Sequence, residues 1–338
     1  MKKLLTLFIL CILIPGTLLP DYLIASRSAT VKKLPQRNSD IIYRVSPGDT
    51  LLLIDSTHTN GYYHVQKLNE TVQGWIYKTF VRRYHGTIQT IIGNIASDSS
   101  LFYCYAGLPK SLNINSEFIT LKNIGYLAGY SENYKTPIWA AYRLFNINNP
   151  TTYPRPTRFK VDKRTISRIK HDDYTNTGYD RGHMAPNYAI DTRYGRESQL
   201  ETFFMSNVCP QKPELNQQTW EALENVEANK YANDFGEMWT ITGPIFSSNP
   251  SKLTSGVSIP IKFYKIMLIK EDNNISVLGI IMKQTDSGQH PIRDFIATVD
   301  SIEALTHLDF FSDLPDSIEN AIESTLPDEE WYIDRILK

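Results

Sequence analysis

The chain has 338 residues, 41% of them hydrophobic, 12% aromatic and 21% charged, which is enough apolar side chain for more than one buried core. Only 17 Gly and 18 Pro, without a short period, exclude a collagen-like or disordered chain. The 35 Lys and Arg nearly balance the 36 Asp and Glu, for a net charge of −1; this excludes a uniformly basic protein but not a locally basic face.

The first element is an export signal over residues 1–20. Lys2 and Lys3 precede an apolar run from Leu4 to Ile14, broken only by Thr6 and Cys11 and ended by Pro15-Gly16. Such a run is too short to span a bilayer comfortably, so the chain is expected to be exported, periplasmic or secreted, with an uncleaved membrane anchor as the alternative. Leu10 stands before Cys11 where a lipidation site needs a small residue. The two remaining cysteines, Cys104 and Cys209, permit one disulfide but do not require it, and neither belongs to a metal-binding CxxC.

Residues 22–84 hold short β-type segments: Ile41–Val45, Thr50–Asp55, Tyr62–Leu68 and Gln73–Tyr77. Turns fall at Pro47-Gly48-Asp49, Thr59-Asn60-Gly61 and Asn69-Glu70. Leu34-Pro35, Pro47-Gly48-Asp49-Thr50, Gly61-Tyr62-Tyr63-His64-Val65 and Gly74-Trp75-Ile76 make this segment resemble a bacterial SH3-like domain. The resemblance implies a small all-β barrel that binds a cell-envelope ligand, a passive spacer being the alternative. A linker rich in Asn, Ser and Asp toward its end follows over 85–100.

The rest, 101–338, is a larger unit. Val161–Thr175 carries clustered charge and reads as a loop or short helix. Residues 216–235 have helical spacing, with Trp220, Leu223 and Val226 apolar and Gly236 as a C-cap. Met238–Ile245, Ser258–Leu268 and Ile275–Met282 read as strands, and Ile292–Leu305 and Asp316–Leu326 as helices. Strands and helices without βαβ regularity predict an α+β fold. Charge is uneven: residues 151–200 carry ten Lys and Arg against six Asp and Glu, and residues 301–338 two against ten. A basic middle suits a polyanion, although surface variation gives the same counts.

The densest chemistry is Tyr179-Asp180-Arg181-Gly182-His183-Met184-Ala185-Pro186-Asn187. A histidine can take a proton from water near neutral pH, and an arginine can grip a phosphate at two points. A second group is Ser206-Asn207-Val208-Cys209-Pro210-Gln211, then Leu215-Asn216-Gln217, Trp220 and Glu224. Asn216 and Glu224 are eight residues apart, about 80° around an α-helix, so both can face one side. An amide oxygen suits Mg²⁺; an Asn opening a helix is equally an N-cap.

Together these groups resemble the DNA/RNA non-specific endonucleases, the ββα-metal nucleases. That pattern is Asp-Arg-Gly-His, then Ser-Asn-x-x-Pro-Gln and Leu-Asn-x-x-x-Trp some thirty residues on, then Glu. The likeness extends over about 101–326, through Ala106-Gly107-Leu108-Pro109, Pro137-Ile138-Trp139-Ala140-Ala141-Tyr142-Arg143, Thr242-Gly243-Pro244-Ile245 and Thr306-His307-Leu308-Asp309. Asn187 departs from it, where many members have a small residue. The resemblance implies a central antiparallel sheet with flanking helices. It makes His183 the general base, Asn216 the direct ligand of one Mg²⁺ (or Mn²⁺) and Glu224 the carboxylate ordering the ion's waters. Arg181 and Arg143 would hold the phosphate, Asp180 would sit near the base, and Asn207 would orient groups in the site. The implied function is hydrolysis of DNA and RNA to 5′-phosphate ends. The alternatives are an envelope-binding protein with a degenerate nuclease fold, or a cell-wall hydrolase, for which no Cys/His pair or zinc-ligand set is present in the sequence.

Overall fold

The structure, a computed structural model, describes residues 21–45, 49–67, 72–85, 100–113, 116–147, 149–271, 274–288, 290–327 and 331. The expected export signal, residues 86–99 of the linker, Pro47-Gly48 and the Asn69-Glu70 turn lie outside them.

The N-terminal unit is all-β: β1 (Asp21–Ala25), β2 (Ala29–Lys32), β3 (Ile41–Val45), β4 (Thr50–Thr59), β5 (Tyr62–Lys67), β6 (Gln73–Tyr77) and β7 (Val81–His85). They form one antiparallel sheet in the order β3-β2-β6-β5-β4-β1-β7. Alternation puts Val31, Leu51, Leu53, Val65 and Ile76 into a core with Leu23, Ala25 and Val81. The predicted Asn60-Gly61 turn is a two-residue hairpin. Both residues have positive φ, 53° and 81°, and Thr59 pairs with Tyr62 across it. A Cβ on Gly61 would lie 2.8 Å from the Tyr77 ring. Strands β1, β2 and β7 escaped the sequence reading because β1 adjoins the apolar signal, β2 is only four residues and β7 carries two arginines.

The larger unit is α+β. Its central sheet comprises β9 (Ile119–Asn123), β10 (Tyr126–Ser131), β11 (Thr136–Phe145), β14 (Glu237–Ile245), β15 (Lys262–Glu271), β16 (Asn274–Lys283) and β17 (Ile296–Ala297). All pairings are antiparallel, in the order β17-β16-β15-β14-β11-β10-β9. Every residue of β10 and β11 is buried, so these strands are covered on both faces. Two small ribbons join β8 (Lys110–Ser111) to β18 (Leu308–Asp309) and β12 (Asp180–His183) to β13 (Val208–Gln211). Helices are α1 (Ser100–Tyr103), α2 (Asn187–Tyr194), α3 (Arg196–Thr202), a continuous α4 over 213–234, α5 (Val299–Thr306) and α6 (Asp316–Ser324).

Two expectations are corrected. The strand placed at Ser258 starts at Lys262, because Pro260 has no N–H for a central ladder. The helix placed over Ile292–Leu305 is a 3-10 turn at Ile292–Phe295, then β17, then α5 capped by Thr298, whose Oγ1 accepts the Ser301 amide at 3.2 Å. Ala297 reaches the sheet because its partner is Gly279, where a Cβ would stand 2.3 Å from the Ala297 carbonyl oxygen.

The two cores are separate. The units touch where Arg82 lies over the Phe145 ring at 4.6 Å and 3.6 Å from Glu237. Cys104 and Cys209 are both buried and free, so no disulfide joins them.

Candidate active site

Strands β12 and β13 and helix α4 form a ββα unit whose pieces the two sequence motifs supply. Asp180 pairs with Gln211 and His183 with Val208. Gly182 is dictated by packing: a Cβ there would lie 2.1 Å from Gln211 Oε1. Helix α4 is π-helical at Leu215–Trp220, α-helical at Glu221–Val226 and π-helical again at Glu227–Tyr231. Such insertions concentrate at functional sites because they re-aim side chains by part of a turn.

A cleft of about 370 Å³ opens between these elements, and Arg155, Asp180, Arg181, His183, Asn216 and Glu224 are among its walls. His183 is 8% exposed and lies between the rings of Phe159 and Phe203, at 5.0 and 5.1 Å. Its Nε2 is buried without a hydrogen-bond partner among the described residues. Burial, and then the Arg155 charge, lowers its pKa to about 3, so the imidazole is neutral at physiological pH.

Asp180 fastens the helix to the strand. Its Oδ2 accepts hydrogen bonds from Asn216 Nδ2 at 2.9 Å and Gln217 Nε2 at 2.7 Å. With its N–H₂ held there, Asn216 turns its amide oxygen away from Asp180. Glu224 accepts a hydrogen bond from Trp220 Nε1 at 3.0 Å. Burial raises its pKa to about 7; Lys265 opposes the shift and Glu227 adds to it. Behind α4, Lys265 Nζ donates to Glu227 at 2.6 Å and to the Tyr142 hydroxyl at 3.0 Å, with both charged side chains fully buried. This pair braces the second π segment against the sheet. The oxygen donors of Asn216 and Glu224 fit a hard divalent cation that keeps several of its waters.

Arg181 lines the cleft, steadied by the His171 carbonyl oxygen at 3.0 and 2.7 Å and by Thr175 Oγ1 at 3.1 Å. Asn207 is fully buried and does not line the cleft. Its Oδ1 accepts the Ala185 amide at 2.9 Å, and its Nδ2 donates to the Ala185 and Thr202 carbonyls, each at 3.0 Å. It thus clamps the backbone just beyond His183. Arg143 requires a correction: it is 3% exposed, pairs with Glu237 and lies over the Phe102 ring at 4.5 Å, away from the cleft. Its strand position turns it toward the packing between α1 and β14. The second arginine in the cleft is Arg155, over the Phe203 ring at 5.6 Å. Sequence reasoning missed it, although it belongs to the segment whose basic excess was noted.

A family model described as DNA/RNA non-specific endonuclease matches residues 110–317. The chain is 28% identical over 219 residues to a nuclease of Nostoc sp., covering 61% of this chain and 78% of that one. It is 26% identical over 237 residues to a nuclease of Serratia marcescens, covering 67% and 86%. Against the mitochondrial nuclease EXOG of Danio rerio it is 27% identical over 223 residues, and the match spans 61% of this chain and 63% of the relative. Among solved structures, a chain in the crystal structure of the EndoG/EndoGI complex superposes with a TM-score of 0.55 at 22% identity, over 64% of this chain and 92% of that one, a likeness of fold. With the family match covering more than half of its length, and the ββα unit lying inside it, the chain belongs to the DNA/RNA non-specific endonuclease family.

Proposed function

We propose that this protein is an exported, divalent-metal-dependent endonuclease that hydrolyses phosphodiester bonds in both DNA and RNA and leaves 5′-phosphate ends. The observation that carries the reading is the cleft shared by a neutral, unpartnered His183 and the oxygen donors Asn216 and Glu224. His183, through its imidazole, accepts the proton of the attacking water. Arg155 and Arg181 hold the phosphate and offset the charge that grows on its oxygens. Asn216 would hold Mg²⁺ directly and Glu224 would order its waters, with Mn²⁺ an acceptable substitute; when bound, the ion would supply charge stabilisation to the transition state. Contacts made to phosphate carry no base identity, so sequence preference is weak. Export rests on the Lys2-Lys3 and Leu4–Ile14 pattern, and the N-terminal β unit acts as an SH3-like module for an envelope ligand.

The test is incubation of the purified protein with plasmid and with total RNA, across Mg²⁺ and Mn²⁺ titrations, against EDTA and a His183→Ala control. Both substrates should be cut only with metal, and the variant should lose about 10²–10⁴-fold. Intact plasmid and RNA at every metal concentration would reject the proposal. A truncation beginning near residue 98 should keep activity on short DNA if the N-terminal unit is an accessory module.

A further inference from the structure

Outside the cleft, α5 and α6 bring three carboxylates together. Asp300 and Glu303 on α5 and Glu323 on α6 each offer a carboxylate oxygen, and these oxygens lie within 4.8 Å of one another. Exposed acidic clusters are common and harmless, because water solvates each charge. This one differs in Glu323, which is only 5% exposed and whose Oε1 is buried with no hydrogen-bond partner among the described residues. An orphaned carboxylate oxygen in a site with two further carboxylates is costly unless a cation or a proton fills the gap. Glu303 is already fixed, its Oε1 accepting the Phe310 amide at 2.8 Å. Asp309 and Glu319 add further negative charge around the cluster, and Lys110 partly offsets it at Glu319.

We infer that Asp300, Glu303 and Glu323 form a second divalent-cation site, of the Ca²⁺ class, that ties α5 to α6 independently of the catalytic cleft. The donors are all hard oxygens on two elements, with room for waters on the Asp300 side, which is exposed. Ca²⁺ takes six to eight such oxygens in flexible geometry, whereas Mg²⁺ demands a near-ideal octahedron. Both helices pack on β16, so the ion fastens the C-terminal end of the fold to the central sheet. The competing outcome is proton sharing: burial pushes the Glu323 pKa to about 8 and the Glu303 pKa to about 7.

The experiment uses full-length protein stripped with EDTA and held at pH 7.5. Ca²⁺ is titrated to about 10 mM, roughly ten times the ~1 mM Kd at the weak end of protein calcium sites, and read by thermal unfolding and calorimetry. The wild type should gain several degrees in Tm, because an ion that binds only the folded state stabilises it by mass action. That gain should persist in Asn216→Ala, whose cleft is impaired, and vanish in the double variant Glu303→Gln/Glu323→Gln. The double variant without Ca²⁺ should be no less stable than the stripped wild type, since it removes repulsion. An equal Ca²⁺ shift in wild type and double variant would place the ion elsewhere and overturn the inference. So would a wild type indifferent to Ca²⁺ that gains stability over the double variant only on acidification, because the cluster would then be a proton trap.

Discussion

The neutral state of His183 has a measurable consequence for stability. Its pKa is about 3 in the fold against 6.5 as the ordinary value, so the unfolded chain binds a proton at mildly acidic pH that the folded chain refuses. A histidine with a depressed folded pKa contributes stability that is intact above 6.5 and is lost as pH falls through the window from 6.5 to about 3. Between pH 7 and pH 5 the loss integrates to about 2 kcal/mol, and near pH 5 its slope approaches the full 1.36 kcal/mol per pH unit. Because His183 is 8% exposed, solvent screening takes little from this figure. The perturbation is His183→Ala and the assay is urea unfolding at half-unit steps from pH 7.5 to 4.5. Other titrating groups cancel in the difference between the two proteins. The variant should lose about 2 kcal/mol less than the wild type between pH 7 and pH 5. Parallel curves for the two proteins would refute the reasoning, since they would mean that His183 protonates freely in the fold and is not held as a neutral base.

Three further outcomes are expected. Asn216→Ala should nearly abolish cleavage, while Glu224→Ala should retain some with a higher metal midpoint. Because the Glu224 pKa stands at about 7, the wild-type metal midpoint should rise as pH drops from 8 to 6, a trend that metal titrations of Glu224→Gln should not show. Arg155→Ala should lower kcat/KM by about 10²-fold with an unchanged melting curve, whereas Arg143→Ala should chiefly destabilise, by about 2–3 kcal/mol, through its lost pair with Glu237; the reverse pattern in rates and melts would restore Arg143 to the site. Asn207→Ala should cost roughly 3 kcal/mol in urea unfolding, because it strands one buried amide and two carbonyls around Ala185 and Thr202, and should lower kcat more than it raises KM.

Much of this protein was legible in the chain itself. Periodicity located the hairpin at Asn60-Gly61, the helix beginning near Asn216 and the strands β14 and β16, because turn chemistry and apolar spacing are local properties. The family resemblance carried by Asp180, His183, Asn216 and Glu224 implied one site, and the four line one cleft because β12, β13 and α4 are consecutive apart from α2 and α3. What failed depended on partners remote in sequence. A helical pattern over 292–305 gave way at Ile296–Ala297 because Gly279, on another strand, left room for backbone pairing. Arg143 and Arg155 are alike as residues, and only the fold decides that one is sealed against Glu237 while the other faces the cleft. The same holds for the lowered pKa of His183 and the unpartnered oxygen of Glu323: desolvation is a property of the surrounding packing, which residue type and spacing do not encode.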